Sequence, residues 1–121
     1  KVMLANQFAG SGGDAFPWYF RKEGIGPIVG TTTWGGLVGL SRRVPMIDGG
    51  VVTSPEVAFW SVEDGWIIEN EGVAPDVWVD YRPDLVAEGH DPQLEKALEI
   101  IQEKVAELPP TPEKPAYPRG R

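Results

Sequence analysis

Apolar residues occur in short runs near the start of the chain and at helical spacing after them. Val2 to Gln7 is an apolar run with a polar end, which predicts a buried strand. Asp14 to Glu23 predicts a helix, because Phe16, Tyr19 and Phe20 recur at the spacing that places them on one helical face. We expect this aromatic stripe to pack in the core.

The predicted helix contains one residue that disfavours it and is followed by residues that stop it. Pro17 falls past the first turn of a helix that begins near Gly12, so we expect a later start or a kink. Gly24 and Gly26 predict its end. Pro27 to Thr33 predicts a second strand, which completes a strand–helix–strand unit with parallel strands and a right-handed connection.

The middle of the chain alternates short extended runs with turns. Asp48-Gly49 is a strong hairpin signal, and Glu63-Asp64-Gly65 predicts another turn. The predicted extended runs are Leu37 to Leu40, Arg43 to Ile47, Val51 to Thr53, Val57 to Trp60 and Val77 to Val79.

The last predicted element is an amphipathic helix that docks on the sheet. Asp91 is the expected N-cap, and Pro92 occupies the first helical position. The apolar positions at helical spacing are Leu94, Ala97, Leu98, Ile101, Val105 and Leu108. Residues 109–121 contain five prolines, so we expect an extended tail after residues 1–108, which form one domain or part of one.

Composition excludes several classes of partner and site. The net charge of −7 disfavours nucleic acid and anionic membranes, and no apolar run reaches the roughly 20 residues of a membrane helix. One His and no Cys make a zinc site unlikely, so we expect no metal and no cofactor. We expect a cytoplasmic protein, although the lack of Cys does not fix the compartment.

The candidate nucleophile is Ser11, which lies between glycines where a strand gives way to a helix. Such a position can expose a hydroxyl beside unpaired backbone N–H donors, and a helix N-terminus favours negative charge nearby. Gly10, Gly12 and Gly13 permit close approach of another group. An ordinary helix-capping turn is the more common role of such a string, so both interpretations stay open.

Two other residues bear on this chemistry. A serine nucleophile needs a base, and the single histidine, His90, precedes a helix N-cap, where a surface residue is the better interpretation. Glu69 follows the apolar triplet Trp66-Ile67-Ile68, so it is either a partly buried functional carboxylate or a surface residue at a strand end.

Several ordered motifs resemble the core serine peptidase of the tricorn protease family, which is related to the C-terminal processing peptidases. The motifs are Asn6-Gln7-Phe8-Ala9-Gly10-Ser11-Gly12-Gly13-Asp14, Gly30-Thr31-Thr32-Thr33-Trp34-Gly35-Gly36-Leu37-Val38-Gly39, Ile47-Asp48-Gly49, Pro55-Glu56-Val57-Ala58-Phe59-Trp60, Glu69-Asn70-Glu71-Gly72-Val73-Ala74-Pro75-Asp76 and Asp91-Pro92-Gln93. The resemblance covers nearly the whole chain. It implies the C-terminal part of an α/β catalytic domain, with a crotonase/ClpP-like sheet and flanking helices.

The resemblance also implies roles for individual residues. Ser11 would be the nucleophile, the Gly12 N–H an oxyanion donor and Glu69 the acidic member of a Ser-His-Ser-Glu tetrad. Val38-Gly39-Leu40 matches the strand that lines the peptide cleft, where a peptide substrate could bind by strand addition. Gly36 stands where the processing peptidases have lysine, which favours the tricorn branch.

In this family the catalytic histidine and the second serine lie upstream of the nucleophile, and the chain contains neither at such a position. We therefore expect a piece of a longer protein, with the upstream part as its partner, and a homo-oligomer. The 121 residues alone should be inactive. A non-catalytic oligomerisation or peptide-binding module, and a crotonase-like enzyme acting on an acyl thioester, remain the alternatives.

Overall fold

The computed structural model describes residues 1–118, which form three helices and seven short strands. In chain order these elements are β1 (Met3–Ala5), α1 (Gly12–Lys22), β2 (Ile28–Gly30), β3 (Arg42–Pro45), β4 (Val51–Ser54), β5 (Trp60–Ser61), β6 (Gly65–Trp66), β7 (Val77–Trp78), α2 (Pro83–Ala87) and α3 (Pro92–Ala106). Mixed helices and strands confirm the α/β class.

A parallel three-stranded sheet in the order β1-β2-β7 carries the core. Met3 pairs with Ile28, and Val29 pairs with Val77, so the predicted parallel strand–helix–strand unit is confirmed. Ile28 and Val29 are fully buried because β2 is the central strand.

Helix α1 buries a different face from the predicted aromatic stripe. Its buried residues are Asp14, Pro17 and Phe20, whereas Phe16 is 63% and Tyr19 47% exposed. The prediction that all three aromatic residues pack in the core is wrong for two of them. The face of α1 that the fold covers is therefore the one that carries Asp14, Pro17 and Phe20.

The start and the end of α1 can each be compared with the prediction from the sequence. Pro17 lies inside an uninterrupted helix that starts at Gly12, so the expected later start is wrong. The helix ends at Lys22, and the predicted stop residue Gly24 follows its C-cap with a φ of 59°, which suits glycine. The Gly24 N–H donates to the Arg21 carbonyl and the Ile25 N–H donates to the Phe20 carbonyl, which together form a Schellman motif.

Two antiparallel hairpins lie between the sheet strands. The β3–β4 hairpin turns at the predicted Asp48-Gly49, where Gly49 has a φ of 86°. The β5–β6 hairpin turns over residues 62–64, which include Glu63 and Asp64 of the predicted turn, while Gly65 already pairs with Ser61. The runs predicted at 37–40 and 57–60 are not full strands and meet only in a single antiparallel bridge between Gly39 and Val57.

The C-terminal helix α3 has the predicted start and docks on β1 and β2. The Asp91 carboxylate accepts hydrogen bonds from the Gln93 and Leu94 N–H groups. The buried contact is made by Gln93 and Ala97, while the apolar positions Leu94 and Leu98 are nearly half-exposed. Helix α2 was not predicted, since its five residues are too few to show helical periodicity.

The tail has no regular secondary structure over residues 109–118, and residues 119–121 of the predicted tail lie outside the described residues. Within residues 1–118, no helix combines the length and apolar character required to cross a membrane. The same residues contain no cluster of three or more His, Asp or Glu side chains arranged to hold a metal ion.

Candidate active site

Ser11 stands at the turn between β1 and α1 in a backbone conformation that side chains rarely adopt. Its φ is 54° and its ψ is −109°, and it occupies the N-cap position of α1. Its side chain makes no capping hydrogen bond, so the helix-capping interpretation of Ser11 is wrong. A strained serine with an exposed hydroxyl at a strand-to-helix turn is the geometry of a nucleophile elbow.

Gly12, the first residue of α1, presents a backbone N–H beside that hydroxyl. Among residues 1–118 this N–H has no hydrogen-bond acceptor, as expected for the first turn of a helix. A Cβ built on Gly12 would have no atom within 4 Å, so a side chain at this position would meet no neighbour. An unpaired N–H at a helix N-terminus can stabilise an oxyanion.

The backbone of residues 35–38, called here the clamped segment, lies next to Ser11 and is held on one side by Asp14. The Asp14 carboxylate is fully buried and accepts hydrogen bonds from the Gly35 N–H at 2.8 Å and the Gly36 N–H at 3.2 Å. The Gly36 carbonyl accepts the Ser11 N–H at 3.0 Å. The clamped segment thus contributes directly to the position of Ser11.

Glu69 holds the other half of the clamped segment. Its Oε2 atom accepts the Leu37 N–H at 2.6 Å and the Val38 N–H at 2.8 Å, and the residue is half-buried. Its neighbours Ile68 and Asn70 have φ values of 74° and 65°. A positive φ is strained for a β-branched residue such as Ile68, and this kind of strain is concentrated at functional sites.

The structure therefore brings Ser11 and Glu69 to the same short stretch of backbone, although they are far apart in sequence. Ser11 bonds to Gly36, and Glu69 bonds to the next residue, Leu37. A cavity of about 380 Å³ opens beside Glu69 and the clamped segment. Its lining includes Trp34, Gly35, Gly36, Val38, Leu40 and Glu69.

The three predicted substrate-binding residues have different environments. Gly39 is already paired, because its N–H donates to the Val57 carbonyl and its carbonyl accepts the Glu56 N–H. A Cβ on Gly39 would lie 2.3 Å from Val57 Cγ2, which explains the glycine. The Val38 N–H is held by Glu69, and the half-exposed Leu40 has no backbone hydrogen-bond partner among residues 1–118.

His90 lies in the loop between α2 and α3 and not beside Ser11. Its Nδ1 atom is 2.9 Å from Glu95 Oε1, and the side chain is 58% exposed. No hydrogen bond joins it to Ser11. The interpretation of His90 as a surface residue is confirmed.

One ionic pair lies outside the site, where α1 meets the β5–β6 hairpin. The Lys22 ammonium is 2.8 Å from Glu63 Oε2. Hydrogen bonds from Lys22 and then from the Ser61 hydroxyl lower the pKa of the Glu63 carboxyl, and the bond to Glu63 raises the pKa of Lys22. Both groups are exposed, so water weakens this attraction.

Asp14 is the residue of the site that the sequence interpretation missed. The sequence pattern identifies it only as the first residue of the predicted helix. The available signal was its spacing, since Asp14, Pro17 and Phe20 follow each other at three-residue intervals on one face of α1. A carboxylate on the same face as a buried aromatic residue predicts a buried hydrogen-bonded group.

Comparison with known proteins identifies close similarities. The model of Peptidase family S41 matches residues 1–79. Tricorn protease of Thermoplasma acidophilum is 43% identical over 115 residues, covering 92% of this chain and 11% of that protein. Tricorn protease homolog 1 of Streptomyces coelicolor is 44% identical over 114 residues, covering 91% of this chain and 11% of that protein.

A solved structure agrees with these relatives. The crystal structure of the tricorn protease superposes with a TM-score of 0.80 at 43% identity, covering 87% of this chain and 10% of that chain. The chain therefore spans about a tenth of the length of the relatives it matches.

Proposed function

We propose that this chain, which belongs to peptidase family S41 and is similar to tricorn proteases, supplies the nucleophilic part of a serine peptidase active site. The single observation that carries the proposal is Ser11, whose strained backbone exposes a hydroxyl that does not cap its helix. Ser11 is the nucleophile, Gly12 the oxyanion donor and Glu69 the acidic member. The histidine base and a second serine come from residues outside this chain. The crotonase/ClpP-like form of the sheet is part of the same proposal.

The reaction is acyl transfer from a peptide to Ser11. The Ser11 oxygen attacks the scissile carbonyl carbon while its proton passes to the histidine, and the carbonyl oxygen becomes an oxyanion that accepts the Gly12 N–H. The carbon–nitrogen bond then breaks, and the departing amine takes the proton. Water hydrolyses the resulting ester and releases Ser11.

The arrangement of Glu69 supports its role in this reaction. Its Oε2 atom is occupied by the two N–H groups of the clamped segment, while Oε1 has no hydrogen-bond partner among residues 1–118. Oε1 can accept a hydrogen bond from the hydroxyl of the second serine, which would orient the histidine. The Glu69 carboxylate then orients the second serine and the histidine, and it also fixes the backbone next to Ser11.

The substrate is a short peptide that binds by strand addition along Val38, Gly39 and Leu40. The Gly39 backbone faces Val57, and alternate residues of an extended chain direct their N–H and carbonyl groups to opposite sides. A peptide would therefore pair mainly with Leu40 and the Val38 carbonyl, with Gly39 shaping the floor of the cleft.

Labelling with a fluorophosphonate tests the nucleophile. In the full-length protein, Ser11 should be modified and peptide hydrolysis should fall at least about 10³-fold in Ser11→Ala. The control is Ser41→Ala, because within residues 1–118 the exposed Ser41 hydroxyl bonds only to Glu56. The 121 residues alone should show no labelling above background, and strong labelling of them would contradict the proposed outside base.

The exposed β3–β4 hairpin favours a second candidate function, a non-catalytic oligomerisation or peptide-binding module. Val44, Val51 and Val52 are all exposed there, and Ile47 at its turn is fully exposed. Full hydrolysis retained in Ser11→Ala would support this module and, equally, a crotonase-like enzyme. An acyl group found on Ser11 by mass spectrometry would argue against both.

A further inference from the structure

We propose that Asp14 is a positioning residue for the nucleophile, acting through the Gly36 carbonyl. Its consequence for catalysis rests on the proposed function of Ser11, whereas its structural part does not.

The first argument is the burial of the Asp14 carboxylate. The residue has no exposed surface, and burial of a charged group is costly unless hydrogen bonds compensate it. Both oxygens are used, and both partners, the Gly35 and Gly36 N–H groups, belong to one loop more than 20 residues away in sequence. The carboxylate therefore fixes that loop against the first turn of α1.

The second argument is a closed circuit of hydrogen bonds that includes Ser11. The Gly36 N–H donates to Asp14 Oδ2, the Ser11 N–H donates to the Gly36 carbonyl, and the Asp14 N–H donates to the Ser11 carbonyl. The two amide groups that flank the Cα of Ser11 are thus both held by groups that Asp14 positions or supplies. A residue with a φ of 54° keeps that conformation only where its surroundings determine it fully.

Packing leaves the circuit little freedom. The Trp34 ring lies over Gly10 and Gly36, where added Cβ atoms would be 2.7 Å and 2.3 Å from ring carbons. The Gly35 carbonyl is also engaged, since it accepts the Asn70 N–H at 2.7 Å. Loss of one Asp14 oxygen as an acceptor would therefore act on Ser11 through Gly36.

The test compares Asp14→Asn with Asp91→Asn in the full-length protein. Asp91 is the matched control, because its carboxylate also accepts two backbone N–H groups but caps α3, away from Ser11. The fluorophosphonate reaction of Asp14→Asn should slow about 10- to 100-fold in its maximal rate, with its half-saturation concentration changed less than about twofold. Asp91→Asn should change neither.

Amide hydrogen exchange gives a readout independent of activity. The Ser11 and Gly36 amides should exchange faster in Asp14→Asn than in wild type and should be unchanged in Asp91→Asn. Unchanged exchange at Ser11 and Gly36 in Asp14→Asn would overturn the proposal. The exchange of Asp14→Asn could be faster while Ser11 of the wild-type protein is never labelled. That combination would support the positioning by Asp14 and overturn the peptidase function.

A variant that does not fold still leaves a decisive measurement on the wild type. The Ser11, Gly35 and Gly36 amides should then be protected as strongly as the amides of the buried strand β2. Exchange of these three amides as fast as that of the exposed turn at Gly49 would overturn the proposal.

Discussion

The clamped segment and the β3–β4 hairpin are both short, glycine-containing stretches, but they are held in different ways. Two carboxylates from distant parts of the chain bind four consecutive N–H groups of the clamped segment. The hairpin is held by its own ladder and turn, and every residue of β3 is exposed. Long-range polar contacts fix the geometry at Ser11, whereas the hairpin depends on local pairing.

This difference has a physical cause. A buried N–H that loses its partner costs about 1–3 kcal/mol. In the clamped segment the bond of the Gly35 N–H is buried and the other three are partly buried, so together the four bonds favour one backbone arrangement. Exposed N–H groups that lose a partner can bond to water instead. The hairpin can therefore change locally without effect on the site, and the clamped segment cannot.

The largest expected effect follows from removing one of the two carboxylates. Glu69→Ala leaves the Leu37 and Val38 N–H groups without their acceptor, so the free energy of local opening of this segment should fall by about 2–4 kcal/mol. Hydrogen exchange at these amides measures it. Peptide hydrolysis by the full-length protein should fall about 10³-fold, because Glu69 also belongs to the proposed tetrad.

Glu71→Ala is the matched control for that change. Glu71 is an exposed glutamate two residues away, and its carboxylate makes no hydrogen bond among residues 1–118. Its removal should alter neither exchange at Leu37 nor hydrolysis. Equal effects of the two variants would contradict the special role of the Glu69 carboxylate.

A smaller and purely local effect is expected in the hairpin. Gly49→Ala adds a side chain at a φ of 86°, where only the backbone conformation opposes it, since no atom lies within 4 Å of the new Cβ. The hairpin should lose about 1 kcal/mol of local stability. Exchange at the Met46 amide, which donates to the Gly50 carbonyl, reports this loss.

The same variant should leave the site unchanged. The labelling rate of Ser11 and the exchange of the Gly36 amide should equal the wild-type values. A slower labelling reaction in Gly49→Ala would show that the hairpin and the clamped segment are coupled. It would contradict the claim that the hairpin can change without effect on the site.

The smallest expected effect concerns the Lys22–Glu63 pair. In Lys22→Gln, the pKa of the Glu63 carboxyl should rise toward its ordinary value of 4.5, as measured by nuclear magnetic resonance titration. Because the folded-state pKa is lowered, this group stabilises the fold above about pH 4.5, and the contribution is lost as the pH falls through the folded pKa. The stability difference between wild type and Lys22→Gln should shrink over that acid range.

The stabilisation by the Lys22–Glu63 pair is also lost at high pH, where Lys22 loses its proton. The pKa of Lys22 is raised above 10.5, so its contribution is complete below that value and is lost as the pH rises through the folded pKa. A Glu63 pKa that does not move in Lys22→Gln would show that Lys22 is not the main cause of the shift.

The sequence by itself determined the features that depend on neighbouring residues. The Asp48-Gly49 turn, the Asp91-Pro92 helix start and the glycine after α1 follow from local backbone preferences, and each was correctly predicted. Resemblance to a known family added candidate roles for Ser11, Gly12, Glu69 and the 38–40 stretch, and these roles remain proposals.

Only the tertiary structure decided how those residues are held. Periodicity placed Phe16 and Tyr19 in the core, but in the folded chain Asp14 and Pro17 of α1 are buried instead. The bonds of Asp14 to Gly35 and of Glu69 to Leu37 join residues more than 20 positions apart, and no local pattern specifies such partners. The strained φ of Ser11 is likewise a property of the folded surroundings, because an isolated Gly-Ser-Gly stretch has no contacts to impose it.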